Sequence, residues 1–140
     1  MKFLLTSLCV AAAFLLTSGG SVSAAEPETY LFDVLRHPQY KAALKQVVKG
    51  KDLPGWVQAF MERGDGVVAP MKSVEVAGHP YRLDHLCKPH DCPGNVLSVL
   101  WSPGGRKVWA ALVNQGGAPT LLGGPSPDKA QVLTADATGG

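Results

Sequence analysis

The chain has 140 residues, with 13 Lys and Arg against 11 Asp and Glu for a formal net charge of +2, and 46% of its residues are hydrophobic. So even a balance excludes the basic footprint of a nucleic-acid binder and a polyanion that acts by bulk attraction. The length suits one domain with one core.

The N-terminus is set apart from the rest. Lys2 supplies a positive start, and Phe3 to Leu16 is apolar apart from Thr6 and Ser7. Val22-Ser23-Ala24 has the small-residue pattern of a cleavage site, with Ala25 as an alternative end. These features predict a secretory signal peptide over residues 1–25, cleaved on export to the periplasm. The apolar run is short for a membrane span, so no membrane attachment is expected after cleavage. Thr6-Ser7-Leu8 is a poor lipidation signal ahead of Cys9. The mature chain, residues 26–140, is then a single domain. Without Lys2 it carries 12 basic side chains against 11 acidic ones, and Cys87 and Cys92 are its only cysteines.

Glu26-Pro27-Glu28 is a polar stub, and Tyr30, Leu31, Phe32, Val34 and Leu35 form an apolar cluster after it. Thr29 either caps a short helix or starts an extended segment. Pro38 stands where a helix accepts proline, at its first turn. Tyr40, Ala43, Leu44, Val47 and Val48 then recur at helical spacing, with Lys41, Lys45 and Lys49 on the wet face and Gly50 as the stop. Leu53 to Phe60 reads as a turn or short helix with Trp56 as a core anchor. Arg63-Gly64-Asp65-Gly66 is a loop, and its Arg-Gly-Asp tripeptide is read as turn chemistry rather than adhesion.

From Val67 the period becomes two. Val74 and Val76 alternate with Ser73 and Glu75, and Ala77-Gly78-His79-Pro80 forms a turn. Tyr81 and Leu83 resume the alternation towards Cys87. Val96 to Trp101 is a continuous apolar strand apart from Ser98, Ser102-Pro103-Gly104-Gly105 is a turn, and Val108 to Val113 is the next strand. Links this short predict an antiparallel meander. Two Gly/Pro stretches bracket Thr120 to Leu122, an expected edge strand. Ser126 and Pro127 open a last helix with Ala130, Leu133 and Ala137 on one face. The expected fold is α+β, an antiparallel sheet of about five strands with helices packed on one face.

Between the central strands lies Cys87-Lys88-Pro89-His90-Asp91-Cys92. In an exported chain these two thiols should be oxidised to a disulfide. So small a ring contributes about 2 kcal/mol by chain entropy, too little to clamp the whole fold. Its larger effect is local. Pro89 fixes its own φ and restricts Lys88, so His90 and Asp91 are offered to solvent with little freedom left to lose. A protruding loop ordered in advance suits insertion into another protein's cleft. Asp91 is placed to accept from His90 or from loop amides, or to form an Asx turn. Lys88 either adds attraction to an acidic rim or simply keeps the loop soluble.

Cys-Lys-Pro-His-Asp-Cys resembles the signature loop of the Ivy family, periplasmic inhibitors of vertebrate (C-type) lysozyme. Leu53-Pro54-Gly55-Trp56-Val57 resembles a second landmark of that family, and the order of segments fits. The likeness runs from about Tyr40 to Val113 and fades beyond. It implies a proteinaceous inhibitor rather than an enzyme, with no cofactor and no metal, acting on the active-site cleft of C-type lysozyme. His90 is the implied key contact, because one imidazole can engage both carboxyl groups that flank the scissile bond. Bacterial lytic transglycosylases have a similar cleft and are the alternative target. The family includes dimers, so a homodimer is among the assemblies the resemblance allows. The Gly/Pro-rich stretch from Gly116 to Pro125 departs from the family pattern.

Readings from other classes fit less well. A thiol-redox protein would use C-x-x-C rather than C-x4-C. A metal site would have to gather His79, His85, His90 and Asp91, which a strand and a constrained loop hold apart. No G-x-S-x-G marks a nucleophile.

Overall fold

The computed structural model describes residues 29–139; the signal-peptide reading falls outside them. Three helices come first: α1 (Leu31–Val34), α2 (Pro38–Val48) and α3 (Gly55–Arg63). Strands β1 (Val67–Val68), β2 (Lys72–Val76), β3 (His79–Cys87), β4 (Val96–Trp101), β5 (Val108–Val113) and β6 (Thr120–Leu122) follow, and α4 (Pro127–Thr138) closes the chain. Among these residues no helix is long and apolar enough to cross a membrane. The fold is a six-stranded antiparallel sheet in the order β1-β3-β4-β5-β6, with β2 also paired to β3.

Local chemistry sets most boundaries. Pro38 stands at the first turn of α2, and Gly64 ends α3 at φ +78° with its N–H on the Phe60 carbonyl. The β2–β3 turn is tighter than its sequence suggested. Only Ala77 and Gly78 form it, both at positive φ, as a two-residue hairpin turn requires. His79 and Pro80 therefore join β3. Pro80 pairs with Glu75 beyond the reach of β4, so its missing N–H breaks no ladder. Ser126 precedes α4 without a side-chain capping bond; its Oγ accepts from Lys129 Nζ at 3.2 Å instead.

The sheet divides two cores. Leu86, Leu97, Val99, Trp101 and Leu112 face Leu31, Leu44, Val57 and Phe60 of the first three helices. Leu83, Cys87, Leu100, Ala111 and Val113 face Leu133 and Ala137 of α4 on the other side. The α+β antiparallel sheet is as expected, its six strands close to the five or so anticipated, and the helices cover both faces rather than one. The reason lies in β4, which is buried at all six positions. Val96, Ser98 and Leu100 would face water if α4 did not cover them.

Each core also holds one buried carboxylate. Asp84, fully buried, accepts from Arg82 Nε at 2.7 Å, Arg82 Nη2 at 2.9 Å and Trp101 Nε1 at 3.0 Å. Arg82 Nη1 also donates to Thr29 Oγ1 at 2.9 Å, which ties the first described residue to the sheet. A buried pair this fully bonded is costly to break.

The antiparallel order brings the end of β3, the start of β4, the end of β5 and the start of β6 to one end of the sheet. The connections 88–95 and 114–119 therefore lie side by side.

Candidate functional site

Cys87 and Cys92 form the expected disulfide, with Cα atoms 5.0 Å apart. The loop it closes is two turns in series. Asp91 N–H donates to the Lys88 carbonyl at 3.2 Å across Pro89 and His90, and His90 sits at φ +63°. Proline at the second place and a positive φ at the third are the signature of a type II turn. Asn95 N–H then donates to the Cys92 carbonyl at 3.0 Å across Pro93 and Gly94, with Gly94 at φ +74°. Lys88 N–H donates to the Asn95 carbonyl at 3.1 Å, so the β3–β4 pairing continues to the base of the loop.

His90 thus occupies a place where glycine or asparagine is the usual choice. A left-handed conformation costs an ordinary residue roughly 1–2 kcal/mol. The side chain is exposed at the tip, where it gains nothing from packing. The disulfide ring and the two turns hold this conformation in place.

The neighbours of His90 are arranged differently from the simplest reading. Asp91 Oδ2 accepts from Lys88 Nζ at 2.8 Å, not from His90. Both partners are substantially exposed, at 40% and 52%, so the pair adds little stability. It does neutralise the two charges beside the imidazole. The loop tip is thus an exposed histidine on a nearly neutral ring.

Sequence reasoning missed Asn95, the residue that organises this region. It is buried, its Nδ2 donates to the Asp91 carbonyl at 3.2 Å, and its Oδ1 accepts the Gln115 N–H at 3.0 Å. Gly116 N–H donates to the Gly94 carbonyl at 2.9 Å, and a Cβ on Gly94 would come within 2.8 Å of that nitrogen. Only glycine permits this approach. Nothing in the local sequence marks Asn95, because its second partner lies 20 positions away.

On the α4 side, Asp136 accepts from Ser98 Oγ at 2.5 Å and Lys72 Nζ at 3.2 Å, and pairs with His85 Nδ1 at 2.9 Å. Burial pushes its pKa up, but the bonds from His85 and Ser98, the His85 charge and the Lys72 bond outweigh that and lower it to about 2. A cavity of about 280 Å³ lies between this group and the underside of Cys92, Pro93 and Gly94.

The remaining sequence candidates disperse. His85 is taken up by Asp136 while His90 stands at the loop tip, and among the described residues no three His, Cys, Asp or Glu side chains gather as a metal site would require. Trp56 is half-buried against the first core, and its Nε1 donates to Asn114 Oδ1 at 3.3 Å. It anchors α3 to the end of β5, while Val57 beside it supplies the fully buried side chain. Arg63 and Asp65 pair with each other at 2.8 Å.

Residues 39–139 match the family described as "Inhibitor of vertebrate lysozyme (Ivy)". The chain belongs to the Ivy family. The match extends through α4, well past Val113, where the resemblance in sequence motifs fades. Among curated relatives, an uncharacterized protein of Yersinia pestis is 35% identical over 95 residues, covering 67% of this chain and 59% of that protein. The inhibitor of vertebrate lysozyme of Pseudomonas aeruginosa is 41% identical over 78 residues, 55% of this chain and 48% of the relative. The protein of that name from Escherichia coli K12 is 37% identical over 62 residues, 44% of this chain and 36% of the relative. The matches thus span from about a third to three fifths of these Ivy-family and related proteins.

Proposed function

We propose that this chain is a periplasmic inhibitor of C-type lysozyme that seats the Cys87–Cys92 loop in the enzyme's active-site cleft. His90 is the central contact. Lys88, Pro89 and Asp91 give the loop its shape and its balanced charge, and the chain performs no catalysis of its own. The observation that carries this reading is His90 itself, held exposed at a positive φ inside a disulfide-closed double turn. Membership of the Ivy family supports it.

The chemistry follows from the target. Retaining glycosidases place two carboxyl groups about 5–5.5 Å apart across the scissile bond. A neutral imidazole donates from one nitrogen and accepts at the other, so it can bond to a protonated acid and to a carboxylate together; an imidazolium donates to both. Hydrogen bonds to charged groups contribute about 1.5–3 kcal/mol each. The ring fills the substrate's place and presents no glycosidic bond to cleave. Because the disulfide and both turns are formed in the free protein, little ordering cost is left for the moment of binding.

The test is a titration of a C-type lysozyme with the purified chain, followed by cell-wall lysis. The expected result is inhibition that saturates at one chain per enzyme and is relieved by raising a soluble oligosaccharide substrate. Absence of inhibition would overturn the reading. Inhibition of a lytic transglycosylase in its place would move the same loop to a bacterial target.

A further inference from the structure

A stable inhibitor interface uses roughly 20–30 residues a side, and the disulfide ring supplies six. The rest of the contact must come from surface that keeps a fixed position relative to His90. Among the described residues, one segment outside the loop and its flanking strands is hydrogen-bonded directly to it. Asn114 to Ala118 are five consecutive exposed residues at the same end of the sheet. They are fastened to the His90 loop twice, by Gln115 N–H on Asn95 Oδ1 and by Gly116 N–H on the Gly94 carbonyl. On the other side, Asn114 holds Trp56 Nε1. An open groove of about 300 Å³ runs there between Asn114 and Ala118 and the Leu53-Pro54 stretch.

We infer that the Asn114–Ala118 loop is a second contact segment of the inhibitor, seated against the rim of the cleft that receives His90, with Asn95 as the positioning residue that holds the two segments in register. This rests on the lysozyme reading and extends it. The chemistry suits a sugar-binding rim. The segment carries no charge, exposes the carboxamide of Gln115 and offers backbone groups without bulky side chains over Gly116 and Gly117. A cleft built to hydrogen-bond sugar hydroxyl and amide groups meets amides here, and the absence of large side chains lets the backbone approach closely. Trp56 then has a role beyond the core: it fixes Asn114, and so joins the Leu53–Val57 landmark to the same surface. Selectivity among lysozymes would follow from this segment, because His90 meets only the catalytic groups that such enzymes share.

The test uses the full exported chain with Ala118→Arg and, separately, Ala118→Glu. Ala118 is exposed, so neither change should move the melting temperature. As a contact, both should raise the inhibition constant at least tenfold, whatever their sign of charge. A long-range electrostatic effect would push the two in opposite directions, and that result would overturn the proposal. Inhibition constants within twofold of wild type for both variants, in a protein that His90→Ala disables, would also overturn it while leaving the His90 reading intact. A wild-type chain that inhibits no lysozyme would remove the underlying function and this extension together. As a second readout, amide exchange at Gln115 to Ala118 should slow when lysozyme is bound, and unchanged exchange there would count against the contact.

Discussion

Replacing Asp136 with Asn keeps the shape of the side chain that pins α4 to the sheet and removes its charge. The carboxylate is 6% exposed and is held by Ser98, His85 and Lys72. Its pKa falls from an ordinary 3.8 to about 2. At 1.36 kcal/mol for each tenfold change in proton affinity, that gap is worth about 2 kcal/mol. The folded pKa lies below the unfolded one, so the contribution is fully present above about pH 4 and is lost as pH falls towards 2. Urea unfolding of wild type and Asp136→Asn at several pH values between 2 and 6 measures it. The wild type should be more stable by about 2 kcal/mol at pH 5 to 6, and the difference should shrink to near zero by pH 2. A difference that stays constant down to pH 2, or none at pH 6, would refute the assignment of this stability to the buried charge.

Other consequences are equally direct. Reduction, or Cys87→Ala with Cys92→Ala, should cost about 2 kcal/mol of folding stability but weaken inhibition by more than that loss accounts for; a melt that collapses while inhibition falls only in proportion would contradict the loop-ordering role. His90→Gly relieves the left-handed strain and should raise unfolding stability by up to about 1 kcal/mol while abolishing tight inhibition, an opposition that urea curves and inhibition assays reveal together. Asn95→Ala leaves the Asp91 carbonyl and the Gln115 N–H without their partner, so it should cost about 2 kcal/mol and speed amide exchange at Gln115; unchanged exchange would show that the two loops are not coupled through Asn95.

Much of this architecture is legible in the residue pattern. The 3.6 period from Tyr40 to Val48, bounded by Pro38 and Gly50, specifies α2. Alternation around Ala77-Gly78 specifies the β2–β3 hairpin, and Pro127 with Leu133 and Ala137 specifies α4. The second helical layer was also signalled, because a run such as Val96–Trp101, apolar at every position but Ser98, is the mark of a strand covered on both faces. Reading it as one-sided put α4 with the other helices. In the loop, the two cysteines and Pro89 foretell a rigid tip, while the second turn, across Pro93 and Gly94, emerges only in the structure. What stays hidden are bonds between residues far apart in the chain. Asn95 to Gln115, Trp56 to Asn114 and Asp136 to His85 and Ser98 pair side chains that no local periodicity relates. Each depends on which strand ends the sheet brings together.

Inhibition constants of wild type and His90→Ala, measured side by side on one C-type lysozyme, bear most directly on whether His90 occupies the active site. Alanine keeps the same backbone demand at φ +63° and removes only the ring. Loss of two hydrogen bonds to charged groups, at about 1.5 kcal/mol or more each, predicts a constant raised roughly a hundredfold or more, with an unchanged melting temperature. Equal constants for the two proteins would contradict the central role of His90 and leave the inhibition to other parts of the surface.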